Sequence, residues 1–209
     1  TQAAGAFNTA SDANPRDAEV AHLLAISLGY GNDHLSALRA FNRAIRLKPN
    51  QAQLFEGRGN IHQQLGNVRA AIADYEIALD NGAASGMLYA NCGIAYRKLG
   101  DIDKALVYCR KATIAEPDDA FFYVNFSCAL CEAGKLELSL KNAEKAIELV
   151  GINTHTAKMK ARVLWKMSEF EECLKYWTET IRCDPEDPEN YYCRAKCYKA
   201  LWCGDHALT

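Results

Sequence analysis

Residues 52–85 read AQLFEGRGNIHQQLGNVRAAIADYEIALDNGAAS, and residues 86–119 read GMLYANCGIAYRKLGDIDKALVYCRKATIAEPDD. Laid one over the other, Phe55 meets Tyr89, Gly59 meets Gly93, Gly66 meets Gly100, Ala71 meets Ala105 and Ala78 meets Ala112. The shift is 34 residues, and it runs outward in both directions. One phase is small throughout: Ala10, Ala44, Ala78, Ala112, Ala146 and Thr180. A second is also small: Ala3, Ala37, Ala71, Ala105, Ser139 and Cys173. A third is mostly large, with Phe7, Phe41, Tyr75, Cys109, Ala143 and Trp177. A fourth stops helices, with Pro15, Pro49, Ala83, Pro117, Gly151 and Pro185. No insertion or deletion breaks the register between residues 1 and 187.

Each slot has a physical reason. Large, small and large residues at helical spacing make one apolar stripe, as in Phe55, Gly59 and His62 or Tyr123, Ser127 and Leu130. The small members let a neighbouring helix approach, and the large ones fill the space between. Gly66, Gly100 and Gly134 suit the left-handed turn that ends a first helix. A second stripe follows, as in Ala37, Phe41 and Ala44, and proline or glycine then ends the second helix. One period is therefore a helix hairpin that cannot bury its own stripe, so successive hairpins must stack.

These slots resemble the tetratricopeptide repeat. The resemblance implies an all-α fold, a right-handed solenoid of stacked helix-turn-helix units, with repeats at 18–51, 52–85, 86–119, 120–153 and 154–187. Residues 1–15 read as the second helix of a truncated repeat. Residues 188–209 read as a partial repeat or capping helix, with Tyr191, Ala195 and Tyr198 in register and Trp202 and Cys203 where a turn is expected. Both ends look cut, as in a piece of a longer solenoid. The family's first helices line a concave face that commonly holds peptide segments of partner proteins.

The composition fits a packed intracellular chain. Of 209 residues, 49% are hydrophobic and 24% charged, and the formal net charge is −2. No basic field exists to draw nucleic acid non-specifically. No run of eighteen apolar residues and no leader segment appears, so neither membrane insertion nor secretion is expected. The 9 cysteines fall mostly at helix-like positions and read as small apolar residues in a reducing compartment, the cytoplasm in the first instance.

Positions off the packing stripe of each first helix give the expected groove. Asn91 and Asn125 share a slot, with Asn60 nearby, and together resemble a short asparagine ladder for a partner's backbone. Met87, Ala90, Ile94, Phe121, Val124 and Cys128 form an expected apolar patch. Phe121 and Phe122 cannot both face one way, and one of them is expected to fill the space left by Ala143. Met159 is placed in the groove as well. Lys158, Arg162 and Lys166 run along one helix face and Lys196 continues on the next, which points to an acidic segment or a terminal carboxylate.

The family's two-carboxylate clamp for chaperone tails is not expected here. Asn60 and Asn91 match its two asparagines, but Glu56 stands where a lysine is needed, and Phe121 and Asn125 occupy the third-helix cationic positions. Cys128 and Cys131 make a Cys-x-x-Cys inside a helix, and Cys193, Cys197, Cys203 and His206 make a poor zinc set; both read as packing residues. His62 reads as a hydrogen-bonded core residue. No phosphate loop, dinucleotide glycines or nucleophile elbow is present. The reading is a non-enzymatic protein-interaction scaffold with no cofactor and no metal. Its alternatives are a middle segment of a large assembly, using end-to-end or convex-face contacts, and the substrate-recruiting arm of an enzyme whose catalytic domain lies elsewhere.

Overall fold

A computed structural model of the chain describes residues 2–206, with the side chains of residues 2–4, 8, 11, 12 and 203–206 outside the description. The described residues form helices and turns: α1 Gln2–Ala13, α2 Ala18–Tyr30, α3 His34–Leu47, α4 Ala52–Gln64, α5 Val68–Asp80 and α6 Gly86–Leu99, then α7 Ile102–Ala115, α8 Ala120–Glu132, α9 Leu136–Val150, α10 Thr154–Lys166, α11 Phe170–Cys183 and α12 Pro188–His206. They divide into two compact units, Thr1–Asp101 and Ile102–Thr209. Inside each unit every helix packs on the next, and alternate helices also touch: α2 with α4, α4 with α6, and α8 with α10. This is the stacked-hairpin, all-α arrangement that the period requires.

The turns are made where the sequence punctuates itself. Gly66, Gly100 and Gly134 have φ of 77°, 88° and 74°, the left-handed conformation that glycine adopts without penalty. Two positions in the same register lack glycine and still take that conformation: Asn32 at φ 60° and Ser168 at φ 64°. Asparagine reaches it at modest cost, and serine at more. Helix starts are fixed by side-chain caps that the repeat reading did not single out. Asp17 accepts from the Glu19 and Val20 amides, Asp33 from Ser36, Ser85 from Leu88 and Asp119 from Phe121. Asn153 and Thr156 form a reciprocal capping box at α10.

The core follows the slots. Ala37, Ala44, Ala71, Ala78, Ala105, Ala112, Ala143 and Ala146 are buried, and Phe41, Tyr75 and Trp177 fill the space between them. In the fourth unit of the period two of the small slots are serines. Ser127 and Ser139 are fully buried, and each hydroxyl donates to the other residue's backbone carbonyl, at 2.7 and 2.8 Å. That exchange removes the cost of burying two hydroxyls. The space beside Ala143 is filled by Met159, with Cys131 and Val163, rather than by a phenylalanine. Met159 is only 3% exposed, so it forms part of the floor of the groove rather than standing free in it. Ala90 is likewise buried and leaves the expected apolar patch.

The α4–α5 hairpin is fastened by charge. Arg58 Nε and Nη2 donate to the two oxygens of buried Asp74 at 2.8 and 2.6 Å, and Arg58 Nη1 donates to Asn42 Oδ1 at 2.6 Å. His62 Nε2 sits 4.0 Å from Asp74, and His62 Nδ1 is buried without a hydrogen-bond partner. Burial lowers the His62 imidazole, against the pull of Asp74. His62 is thus a desolvated packing residue beside an ion pair, and the expected hydrogen bond is not made: Nδ1 has no partner and Nε2 lies 4.0 Å from Asp74.

Candidate functional site

The second unit carries a cleft of about 210 Å³ on the face shared by α8, α10 and α12. Helical spacing builds it. Arg162 and Lys166 lie one turn apart on α10, and Trp165 stands between them in sequence. Trp177 and Cys193 line the cleft from α11 and α12, and Cys128, Cys131 and Met159 complete its apolar lining. Lys196 reaches in from α12, its Nζ 5.1 Å above the Trp165 ring and 5.6 Å from that of Tyr192. Lys166 Nζ donates to the Cys131 carbonyl at 3.2 Å. Arg162 and Lys166 are exposed, and Glu132 is the one acid in the lining. Burial pushes the Cys131 thiol up, with Lys166 and Arg162 pulling the other way, so this cysteine is poorly suited to nucleophilic or redox chemistry.

Of the expected cations, Arg162, Lys166 and Lys196 therefore converge on one cleft, and Lys158 does not join them. Lys158 Nζ pairs with Asp187 Oδ2 in the turn before α12, and Asp187 also accepts from the Glu189 amide. Lys158 holds the Asp187 carboxyl below its ordinary range and so fastens α12 to α10. The residues discounted as a zinc set are not gathered at this cleft either, Cys193 alone of their described side chains lining it. Cys197 is buried with its Sγ 3.2 Å from Cys173 Sγ, while the side chains of Cys203 and His206 lie outside the described residues.

The asparagines are partly spent on the protein. Asn91 Nδ2 donates to Asn60 Oδ1 at 3.1 Å, and the Tyr75 hydroxyl donates to the same oxygen at 2.9 Å. These three lie in the first unit. Asn125, in the second, donates from Nδ2 to the Phe121 carbonyl of its own helix at 2.8 Å. A backbone clamp would have only the remaining polar atoms to use. Met87 is 45% exposed and Ile94 half-buried in the first unit; Phe121 is 43% exposed in the second, with its ring edge-on to buried Phe122 at 5.7 Å and 72°. Phe121, Val124 and Asn125 line a separate cleft with Val150 and His155. Trp165 and Trp177 were not among the expected site residues. The indole at Trp165 sits between Arg162 and Lys166 in sequence, and that adjacency was the signal available.

Comparison with known proteins agrees with this architecture. Residues 22–85 and 56–120 match the tetratricopeptide repeat family model. The chain is 23% identical over 174 residues to Hsp70-Hsp90 organizing protein 1 of Glycine max, covering 81% of this chain and 30% of that protein. It is 23% identical over 202 residues to the Protein CTR9 homolog of Arabidopsis thaliana, covering 89% of this chain and 18% of that one. The chain thus spans less than a third of the length of these relatives. Among solved structures, YrrB, described as a TPR protein with an unusual peptide-binding site, superposes with a TM-score of 0.74 at 23% identity, covering 92% of this chain and 100% of that one. The APC/C hetero-tetramer Cut9-Hcn1 gives 0.80 at 16% identity, covering 94% of this chain and 39% of that one. Over residues 22–120 the chain carries tetratricopeptide repeats. None of its described helices is long and apolar enough to cross a membrane.

Proposed function

We propose that the chain is a non-catalytic protein-interaction module whose second unit receives an acidic, apolar-anchored peptide segment of a partner. One observation carries this reading: Arg162, Lys166 and Lys196 surround an apolar cleft walled by Trp165 and Trp177. A guanidinium presents a planar fork to a carboxylate, and a tryptophan-lined cleft offers an apolar anchor a place to desolvate. Neither alone selects acidic-apolar segments; together they do. The buried thiols, used as small core residues, suit a reducing compartment such as the cytoplasm.

A chaperone-tail clamp is not part of this reading, because Glu56 keeps the wrong sign at the clamp's first lysine position. A second reading, docking through the end of the stack, is favoured by the exposed row Tyr191, Tyr198 and Trp202 on α12. The two separate in one experiment. Trp165 and Trp177 line the cleft, so intrinsic fluorescence reports its occupation by Asp/Glu-rich peptides carrying Leu or Phe. Arg162→Glu should weaken such binding about tenfold or more. Unchanged binding, or loss only in Tyr198→Ser with Trp202→Ser, removes the cleft reading.

A further inference from the structure

The first unit holds a second cleft, of about 350 Å³, that the acidic-peptide reading leaves unused. His22, Ile26 and Tyr30 of α2 wall it, Phe41 of α3 lines it, and Glu56 of α4 supplies its one carboxylate. Glu56 is half-buried, and no Lys or Arg among the described residues pairs with it. The nearest arginine in sequence, Arg58, is committed to Asp74 and Asn42 instead. His22 lies across the cleft with its ring 6.0 Å from that of Phe41. Burial lowers its imidazole, against Glu19, so at neutral pH it carries no charge to neutralise the carboxylate. The remaining polar lining is amide: Gln53, Asn60 and Gln64.

We propose that this cleft is a receptor for a cationic side chain, Lys or Arg, presented by a partner protein, with Glu56 as its counter-ion and the apolar side chains of Ile26 and Ile61 beside it. A partly desolvated carboxylate without a partner attracts a cation more strongly than a fully hydrated one. The amide oxygens of Gln53 and Gln64 accept the N–H groups that one carboxylate cannot, Asn60 Oδ1 being taken by Asn91 and Tyr75. An anionic group would meet Glu56, with Glu19 nearby, and no opposing charge. Burial raises the Glu56 carboxyl above its ordinary value, as expected for a site that gains by receiving a cation. The site is opposite in sign to the Arg162 cleft and stands whether or not that reading holds.

The test is amide-resolved NMR of the whole chain, titrated with a blocked Gly-Leu-Arg-Leu-Gly peptide and with the same peptide carrying citrulline for arginine. Citrulline keeps the shape and removes the charge. The arginine peptide should give saturable shifts at Gly29, Gly57 and Gln64, and the citrulline peptide should bind about tenfold more weakly. Glu56→Gln should cause a similar loss. Gln64→Lys, at an exposed position, should abolish binding by placing a competing cation in the cleft. The same spectra report whether each variant is folded, and the peptide comparison on the parent chain needs no variant. Equal binding of the two peptides, shifts confined to other helices, or no saturation up to about 10 mM would overturn the proposal.

Discussion

At the scale of single residues, the molecule shows where its repeat is under strain. Ser168 sits in the left-handed slot that glycine fills in three other copies, at φ 64°. A non-glycine residue there costs about 1 kcal/mol, offset partly by glycine's greater freedom when unfolded. Ser168→Gly should therefore raise stability by roughly 0.5–1 kcal/mol, read from urea unfolding; a loss would show that the Ser168 side chain makes a contact worth more than the strain. Glu56 is a different case. Its folded carboxyl lies above the ordinary value of 4.5, so the folded state binds the proton more tightly than the unfolded state. Ionisation then costs folding stability, a cost absent well below 4.5 and fully present once pH exceeds the folded value. Glu56→Gln should be more stable than the parent at pH 8, with the advantage shrinking as pH falls toward 4.5. Thermal melts across that range check it, and a pH-independent difference would refute the assignment. A stability cost held at a half-buried carboxylate is what a binding role would explain.

At the scale of elements, close helix approach sets the limits. A methyl group at Gly59 would lie 2.6 Å from Tyr75 Cε1 and 3.3 Å from the Ala71 carbonyl. Tyr75 is buried, and its hydroxyl is tied to Asn60, so the ring cannot simply turn away. Alanine is the better helix former by about 1 kcal/mol. Overpacking costs about 1–3 kcal/mol, so the steric term should win and Gly59→Ala should destabilise the chain in urea unfolding. A gain would mean that α4 and α5 can part without loss. The Arg58–Asp74 pair bears on the same hairpin: replacing Arg58 would strand the Asp74 charge in a buried site.

At the scale of the whole molecule, binding should carry the signature of its charges. Three cations around one cleft favour acidic segments through a term that salt screens within about 10 Å at 0.1 M. Affinity for acidic-apolar peptides should fall as salt rises, and Arg162→Glu should flatten that dependence as well as weaken binding. Isothermal titration at several salt concentrations measures both; a parent chain indifferent to salt would leave only the apolar contribution. The repeats matched by the family model end at residue 120, whereas the cleft uses α8 to α12. The site thus lies largely in the part of the chain where the repeat pattern is less conventional, with Ala143, Ser139 and Cys173 in place of the usual side chains.

The sequence by itself determined the helices, their turns and the buried slots, because each rests on spacing within one period. Small residues at Ala37, Ala71 and Ala105 and left-handed glycines at Gly66, Gly100 and Gly134 act locally and repeat. It also placed Arg162, Lys166 and Lys196 on faces that meet. Only the tertiary structure decided which side chains are spent within the protein. Lys158 goes to Asp187, Asn91 to Asn60, Arg58 to Asp74, and Met159 into the space beside Ala143. Long side chains choose partners by distances across different helices, and a cavity beside one small residue is filled by whichever neighbour reaches it. Neither quantity is written in a period of 34 residues.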